Sequence, residues 1–219
     1  MKQLILINNF VKPEPAFRLS DERLKRALIL KDKYEKTRFI SAEKITCDAL
    51  SFYYGISEPV ITGTAGKKPE VLDHNIFFSR SYTKDKLALA IDNSDIIGID
   101  AEEIMEEDKH FMSYFFTEKE KDYVRNSADK DFAFTLIWTR KESYIKCIGE
   151  GLKFSFDTLN TTPSEAVLSG EKLFETNQLC NDCYINSYRI ENIVISVCSR
   201  INEDFPLIKK GMRKWRKQL

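Results

Sequence analysis

Twice along this 219-residue chain, a block of helical pattern is followed by a group of short β-rich runs, and that order restricts the fold to a mixed one. An opening apolar run, Leu4-Ile5-Leu6-Ile7, reads as a first strand, and Pro13 and Pro15 break the chain after it. Charged helical patterns then cover Ser20 to Leu30, with Ser20 as N-cap, and Lys33 to Tyr54. The β-rich runs that follow are Pro59-Val60-Ile61-Thr62, Asn75-Ile76-Phe77-Phe78-Ser79, Leu87-Ala88-Leu89-Ala90-Ile91 and Asp95-Ile96-Ile97-Gly98-Ile99. The second block of helices spans 109–114, 118–126 and 131–148, the last ended by Gly149 and Gly151. Its strands are expected at Lys172-Leu173-Phe174-Glu175, Cys183 to Tyr188 and Val194 to Cys198. The repeated order predicts an α+β fold of two similar halves, residues 1–104 and 105–219, joined in the acidic stretch at 103–108.

Composition excludes several classes. Lys plus Arg and Asp plus Glu number 34 each, so no overall field favours nucleic acid, and partners must be sought in local patches. One patch is the run from Lys209 to Lys217, with six basic residues and no acid: a solvated tail, or a surface for an acidic protein, a phosphate or RNA. Five cysteines in no framework spacing suit reduced thiols, and the lone Cys180-Asn181-Asp182-Cys183 pair has no second pair to complete a zinc site. The opening apolar run is too short for a signal-peptide core, and no stretch nears the roughly 20 apolar residues of a membrane span. A cytoplasmic protein without membrane or nucleic-acid partners is expected.

Asp100 and Glu102 stand two apart in a strand pattern, so their carboxylates share one face, roughly 7 Å apart at the backbone, while Ile97, Ile99 and Ala101 take the other. Such a pair is either a solvated strand edge or part of a site for a hard cation such as Mg²⁺. On the helix 131–148, a spacing of four sets Trp138, Glu142 and Lys146 in one stripe. Glu142 and Lys146 form either an i,i+4 ion pair or a third metal oxygen beside a phosphate-binding ammonium.

Taken together, Gly98-Ile99-Asp100-Ala101-Glu102 and Trp138-Thr139-Arg140-Lys141-Glu142-Ser143-Tyr144-Ile145-Lys146-Cys147-Ile148-Gly149-Glu150-Gly151-Leu152 resemble the Sfp-type 4′-phosphopantetheinyl transferases. That resemblance implies two α+β halves related by a pseudo-twofold within a monomer, with a coenzyme A cleft between them. It further implies Mg²⁺, or Mn²⁺ in its place, on Asp100, Glu102 and Glu142, with Lys146 beside the phosphates. The activity implied is transfer of the phosphopantetheine arm of coenzyme A to a serine of an apo acyl- or peptidyl-carrier protein. The alternative is a scaffold of the same fold that binds coenzyme A or a carrier protein without transfer.

The resemblance extends, more loosely, to other positions. Phe115-Phe116-Thr117-Glu118-Lys119-Glu120 looks like a family segment whose acid is a candidate general base, although Thr117 and Glu120 also spell a capping box. Tyr114, Phe115 and Phe116 are candidates for carrier-protein docking or for the core. Arg23, Arg26 and Arg38 fall near the family's coenzyme A-binding basic residues. Gly66-Lys67-Lys68-Pro69 resembles a family turn in which Lys68, next to the proline, is taken as the ligand-facing lysine. At Phe77-Phe78-Ser79-Arg80-Ser81 the family usually has N-x-S-H-S; Ser79 is kept, but Arg80 replaces a phosphate-contacting histidine. Arginine keeps a donor and a permanent charge but cannot accept a proton near neutral pH.

Overall fold

The structure, a computed structural model, describes residues 3–10, 17–64, 66–151, 154–163, 178–202 and 207–209. Strand β1 (Gln3–Asn9) is followed by α1 (Asp21–Ile29), α2 (Lys33–Tyr54), β2 (Ile61–Thr62), β3 (Glu70–Val71), β4 (Phe77–Tyr82) and β5 (Lys86–Asp92). Then come β6 (Ile97–Glu103), α3 (Lys109–Phe115), α4 (Glu118–Asn126), α5 (Lys130–Ile148), β7 (Gln178–Cys180), β8 (Cys183–Ile190), β9 (Ile193–Ser199) and β10 (Leu207–Lys209). Side-chain caps set the helix starts: Ser20 accepts from the Arg23 N–H and Asp32 from the Glu35 N–H. The two long helices, α2 and α5, both stop at a glycine in the left-handed region, Gly55 (φ 70°) and Gly149 (φ 78°).

The strands form two four-stranded sheets, β10-β1-β5-β4 and β6-β9-β8-β7, beside a β2-β3 pair. Each large sheet contains the same arrangement. Its opening strand (β1 or β6) pairs antiparallel with the last of the set (β5 or β9), which pairs antiparallel with the strand before it (β4 or β8). The α+β class is therefore as expected, and the repeat is one of strand, helices and hairpin. Strand β6, ahead of residue 105, pairs along its whole length with β9 and so lies in the second sheet. In the turn between β5 and β6, Asp92 Oδ1 accepts from the Ser94 N–H and Asp95 Oδ1 from the Ile96 N–H, both at 2.6 Å.

Alternation along the strands builds the layers. Leu87, Leu89 and Ile91 of β5 face Ala42, Ile45, Ala49 and Leu50 of α2. Ala88 and Ala90, on the other face, meet Ile97, Ile99, Ala101, Ile195 and Val197 of the second sheet, and their small size lets the sheets approach. The far side of the second sheet is covered by α5, where Tyr144, Ile145 and Cys147 pack with Cys183, Ile185 and Cys198. The sulfurs of Cys147, Cys183 and Cys198 lie within 4.8 Å of one another in this core, while Cys180, in the same core, donates to the Asn160 carbonyl.

Several strand limits differ from expectation. The run at 59–62 shrinks to Ile61–Thr62, since Pro59 has no N–H and Glu58 takes a positive φ of 50°. The run at 95–99 moves to Ile97–Glu103, because β9 offers ladder partners as far as Glu103. Strands β3, β7 and β10 have two or three residues each, too short to show alternation. The expected strand at 172–175, Pro13, Pro15 and the basic run after Lys209 lie outside the described residues; Lys209 itself ends β10.

The crossing of β6 and α5 has no room for a side chain at Gly98. A Cβ there would lie 2.0 Å from the Ser143 carbonyl oxygen and 2.4 Å from the Cys147 nitrogen, both backbone atoms of α5. Gly98→Ala is therefore expected to force the helix off the strand and to destabilise the fold by about 3 kcal/mol or more, at the upper end for overpacking. Chemical denaturation measures this, and an unchanged midpoint would contradict the close contact.

Candidate functional site

A cavity of about 490 Å³, inside the roughly 300–1,000 Å³ range of ligand pockets, opens between α1, α2 and β4 on one side and α5 on the other. Its first wall carries Arg23 and Arg26 of α1, Arg38 and Phe39 of α2, the turn Gly66-Lys67-Lys68-Pro69, and Phe78, Ser79 and Arg80 of β4. The other wall carries Glu142, Ile145 and Lys146 of α5 with Phe156.

Lys146 on this second wall is where the strand and helix stripes read from the sequence meet, although Asp100 and Glu102 are not themselves lining residues. Asp100 is 2% exposed, and its Oδ1 accepts from Lys146 Nζ at 2.6 Å and from Ser81 Oγ at 2.8 Å. Asp100 Oδ2 is buried with no hydrogen-bond partner among the described residues, an oxygen that a cation would satisfy. Burial, then the neighbouring Asp100 charge, pushes the Glu102 carboxyl up to about 7 against the downward pull of Lys146. The Glu142 carboxyl is also raised, by burial first, with Lys146 opposing and Asp100 adding to it. Burial works to lower Lys146, but Asp100, Glu142 and Glu102 outweigh it and hold the ammonium charged. Three acids against one ammonium leave net negative charge in a partly dry site, which suits a hard divalent ion. Their oxygens influence one another's titration without forming a closed shell: among the described residues, the three thiols are the group with all ligand atoms within 4.8 Å.

The cationic wall holds most of the positions expected. Arg23 ion-pairs with Glu43 at 2.5 Å and donates to the Gly63 carbonyl at 3.1 Å. Arg80 pairs with the same Glu43 at 2.8 Å and lies over the Phe78 ring. Arg38 donates to the Thr83 carbonyl at 2.6 Å and sits among the rings of Phe10, Tyr34 and Tyr82. Arg26 is half-buried at the cavity edge near Phe39. Ser79 lines the cavity, and its Oγ accepts from the Ile99 N–H at 3.1 Å, joining β4 to β6.

Two expectations change. Lys68 lines the cavity, but its ammonium is engaged with the Ile97, Lys146 and Cys147 carbonyls at 2.7, 3.1 and 3.5 Å, clamping β6 to the end of α5. Lys67, exposed on the same rim, is the lysine of the turn with its charge toward solvent. Glu120 is fully buried and is no part of the cavity lining. It closes the capping box with Thr117, pairs with Lys141 at 2.8 Å, and accepts from the N–H and hydroxyl of Thr161. With every oxygen engaged, it serves the fold rather than a proton transfer. Phe116 is likewise core, Phe115 is half-buried in the aromatic cluster with Trp138 and Phe156, and Tyr114 is 62% exposed.

Two residues were missed. Ser81 orients Asp100, and its signal is a small hydroxyl two residues from Ser79 on the face toward β6. Glu43 joins Arg23 to Arg80; its signal is a carboxylate inside the stripe Phe39, Ala42, Thr46 and Leu50 of α2.

Residues 96–198, which run from the start of β6 to the end of β9, match the model of the 4′-phosphopantetheinyl transferase superfamily. The chain is similar to a 4′-phosphopantetheinyl transferase, gsp, of Aneurinibacillus migulanus, 39% identical over 87 residues, covering 39% of this chain and 36% of that one. It is also similar to the transferase psf-1 of Bacillus pumilus, 28% identical over 148 residues, or 65% and 62% of the two chains. An L-aminoadipate-semialdehyde dehydrogenase-phosphopantetheinyl transferase of Xenopus laevis is 26% identical over 152 residues, or 64% and 49%. The chain thus spans less than two thirds of the length of each of these relatives. No helix among the described residues is long and apolar enough to cross a membrane.

The strained acids make stability depend on pH. From the ordinary 4.5 up to about 7, folded Glu102 keeps a proton that the unfolded chain has released, so stability falls as pH rises through that window and stays lower above it. In chelator-treated protein, urea midpoints should decline across this range, and Glu102→Gln should make the decline shallower, with the raised Glu142 accounting for what remains. An identical slope in wild type and variant would remove Glu102 as a source of the strain.

Proposed function

We propose that the chain transfers the 4′-phosphopantetheine arm of coenzyme A to a serine of an acyl- or peptidyl-carrier protein, releasing adenosine 3′,5′-bisphosphate. The observation that carries this reading is the meeting of Asp100 and Glu102 with Glu142 and Lys146, the last two on one wall of an arginine-lined cleft, within a segment that matches the transferase family model. Asp100, Glu102 and Glu142 would hold Mg²⁺, for which Mn²⁺ could substitute; the orphaned Asp100 oxygen and the raised glutamates fit such an ion. When bound, the ion supplies charge neutralisation at the diphosphate and so stabilises the departing phosphate oxygen.

The chain's own residues supply the rest. Arg23, Arg26, Arg38, Lys67 and Arg80 present fixed positive charge to the anionic parts of coenzyme A along the first wall. Lys146, held by Asp100, places its ammonium beside the acids on the opposite wall. As the serine oxygen forms its bond to the β-phosphorus, the diphosphate P–O bond breaks and the nucleotide leaves with that electron pair. The serine proton passes to Glu142, which lines the cavity on the wall of the acids, since Glu35 on the other wall is paired with Arg38, Glu120 is closed off and Arg80 has no acceptor atom.

The test combines the protein with coenzyme A, Mg²⁺ and an apo carrier protein, and weighs the carrier by mass spectrometry. A gain of one phosphopantetheine is expected. Asp100→Ala and Glu142→Ala should each lower the rate by at least about 100-fold while the protein stays folded, since even outer-sphere partners of a metal are worth 10–100-fold. Absence of any mass gain across several acyl- and peptidyl-carriers would refute transfer, and full activity in Asp100→Ala would refute the metal assignment.

A further inference from the structure

Glu43 stands behind the cationic wall rather than on it. It is 1% exposed on the buried face of α2, and one oxygen, Oε1, accepts from Arg23 Nε at 3.0 Å, Arg23 Nη2 at 2.5 Å and Arg80 Nη2 at 2.8 Å. The two arginine side chains are themselves 5% and 6% exposed, and both line the cavity. Each has one further anchor, the Gly63 carbonyl for Arg23 and Thr46 Oγ1, at 3.4 Å, for Arg80. Two guanidiniums this close repel, and more strongly where water is scarce. A carboxylate between them removes most of that repulsion and still leaves one net positive charge at the wall.

Folding alone gives little reason for such a group, because the desolvation of a buried ion triad offsets much of its attraction. Its distinctive product is fixed placement: two forked donors held side by side from behind, with the carboxylate out of the cavity. We propose that Glu43 is the positioning residue of this cation pair, holding Arg23 and Arg80 in the arrangement that receives the anionic part of coenzyme A. It is also the partner that lets arginine stand at position 80. The inference rests on the transferase reading for the identity of the ligand.

Calorimetric titration of coenzyme A, in Mg²⁺ buffer, into the wild type, Glu43→Gln, Arg80→Gln and the double variant tests both levels separately. Glu43→Gln removes a negative charge close to an anion site, so a purely electrostatic role predicts tighter binding. Positioning predicts the reverse, a dissociation constant raised by about tenfold or more. Because Glu43 acts through the arginines, the double variant should bind no more than about twofold worse than the weaker single variant. Affinity unchanged or improved in Glu43→Gln, or losses that multiply in the double variant, would overturn the inference. Thermal denaturation establishes the folded fraction of each protein; a merely structural role would lower the melting temperature and leave the affinity of the folded fraction unaltered. Should Glu43→Gln not fold, Glu43→Asp keeps the charge but is one methylene too short to span both arginines, and wild-type affinity in it would equally overturn the proposal. Failure of the wild type to bind coenzyme A would instead refute the transferase reading.

Discussion

The site depends on how closely β6 and α5 cross. Asp100 and Glu102 come from the strand, Glu142 and Lys146 from the helix, and nothing local in either element brings them together. What does so is the missing side chain at Gly98, which lets the α5 backbone at Ser143 and Cys147 rest against the strand. Lys68 secures the same crossing from a third segment, its ammonium shared between the Ile97 carbonyl of β6 and the Lys146 and Cys147 carbonyls of α5. Burial lowers the pKa of that ammonium, but the carbonyl dipoles at a helix C-terminus offset part of the cost. A Lys146–Asp100 bond of 2.6 Å is then a consequence of backbone geometry more than of attraction between the two charges.

The helix that carries the acid also carries its own support. Arg140, Lys141 and Glu142 are consecutive, so successive turns of 100° send them to different surroundings. Arg140 and Lys141 are fully buried and reach the 156–161 segment, through the Thr161 carbonyl at 2.7 Å and the Phe156 carbonyl at 2.7 Å respectively. Glu120 completes this buried network by bonding both Lys141 and Thr161. Desolvation draws the Arg140 pKa down to about 10, yet the group stays charged because its partners are fixed in place. Phe156 thereby comes to stack on Trp138 and to form part of the cavity wall, so charges far from the chemistry shape the cleft.

Features with a short sequence period were legible. Alternation put Ile97, Ile99 and Ala101 in the core between the sheets and Asp100 on the face toward α5, and the four-residue spacing placed Glu142 with Lys146. The capping box at Thr117 was legible too, and so was the ambiguity it created for Glu120, which only burial resolves. Features that depend on distant pairing were not. The sheet to which β6 belongs depends on its pairing with β9, roughly a hundred residues later, a choice that local propensity does not encode. Lys67 and Lys68 are indistinguishable by composition, and the partner of one of them lies on a helix 78 residues away. The stripe of α2 marks Glu43 as a buried acid but says nothing of what it bonds, because both of its partners are outside that helix.

The charges at and beside the cleft are unevenly divided between its walls. Arg23, Arg26, Arg38, Lys67, Lys68 and Arg80 stand on the first, with Glu35 as its one acid, and Glu142 and Lys146 on the second, where Lys146 is bonded to Asp100 and Glu102 is close by. An anionic ligand alone would be held by one wall and repelled by the other. A divalent cation alone would have the opposite preference. The two together satisfy both walls, each reducing the repulsion that the other meets, so their binding should be mutually favourable and by linkage equally so in either order. Lys146, bonded to Asp100, partly neutralises the acids and so lowers the cost of holding three carboxylates near one another.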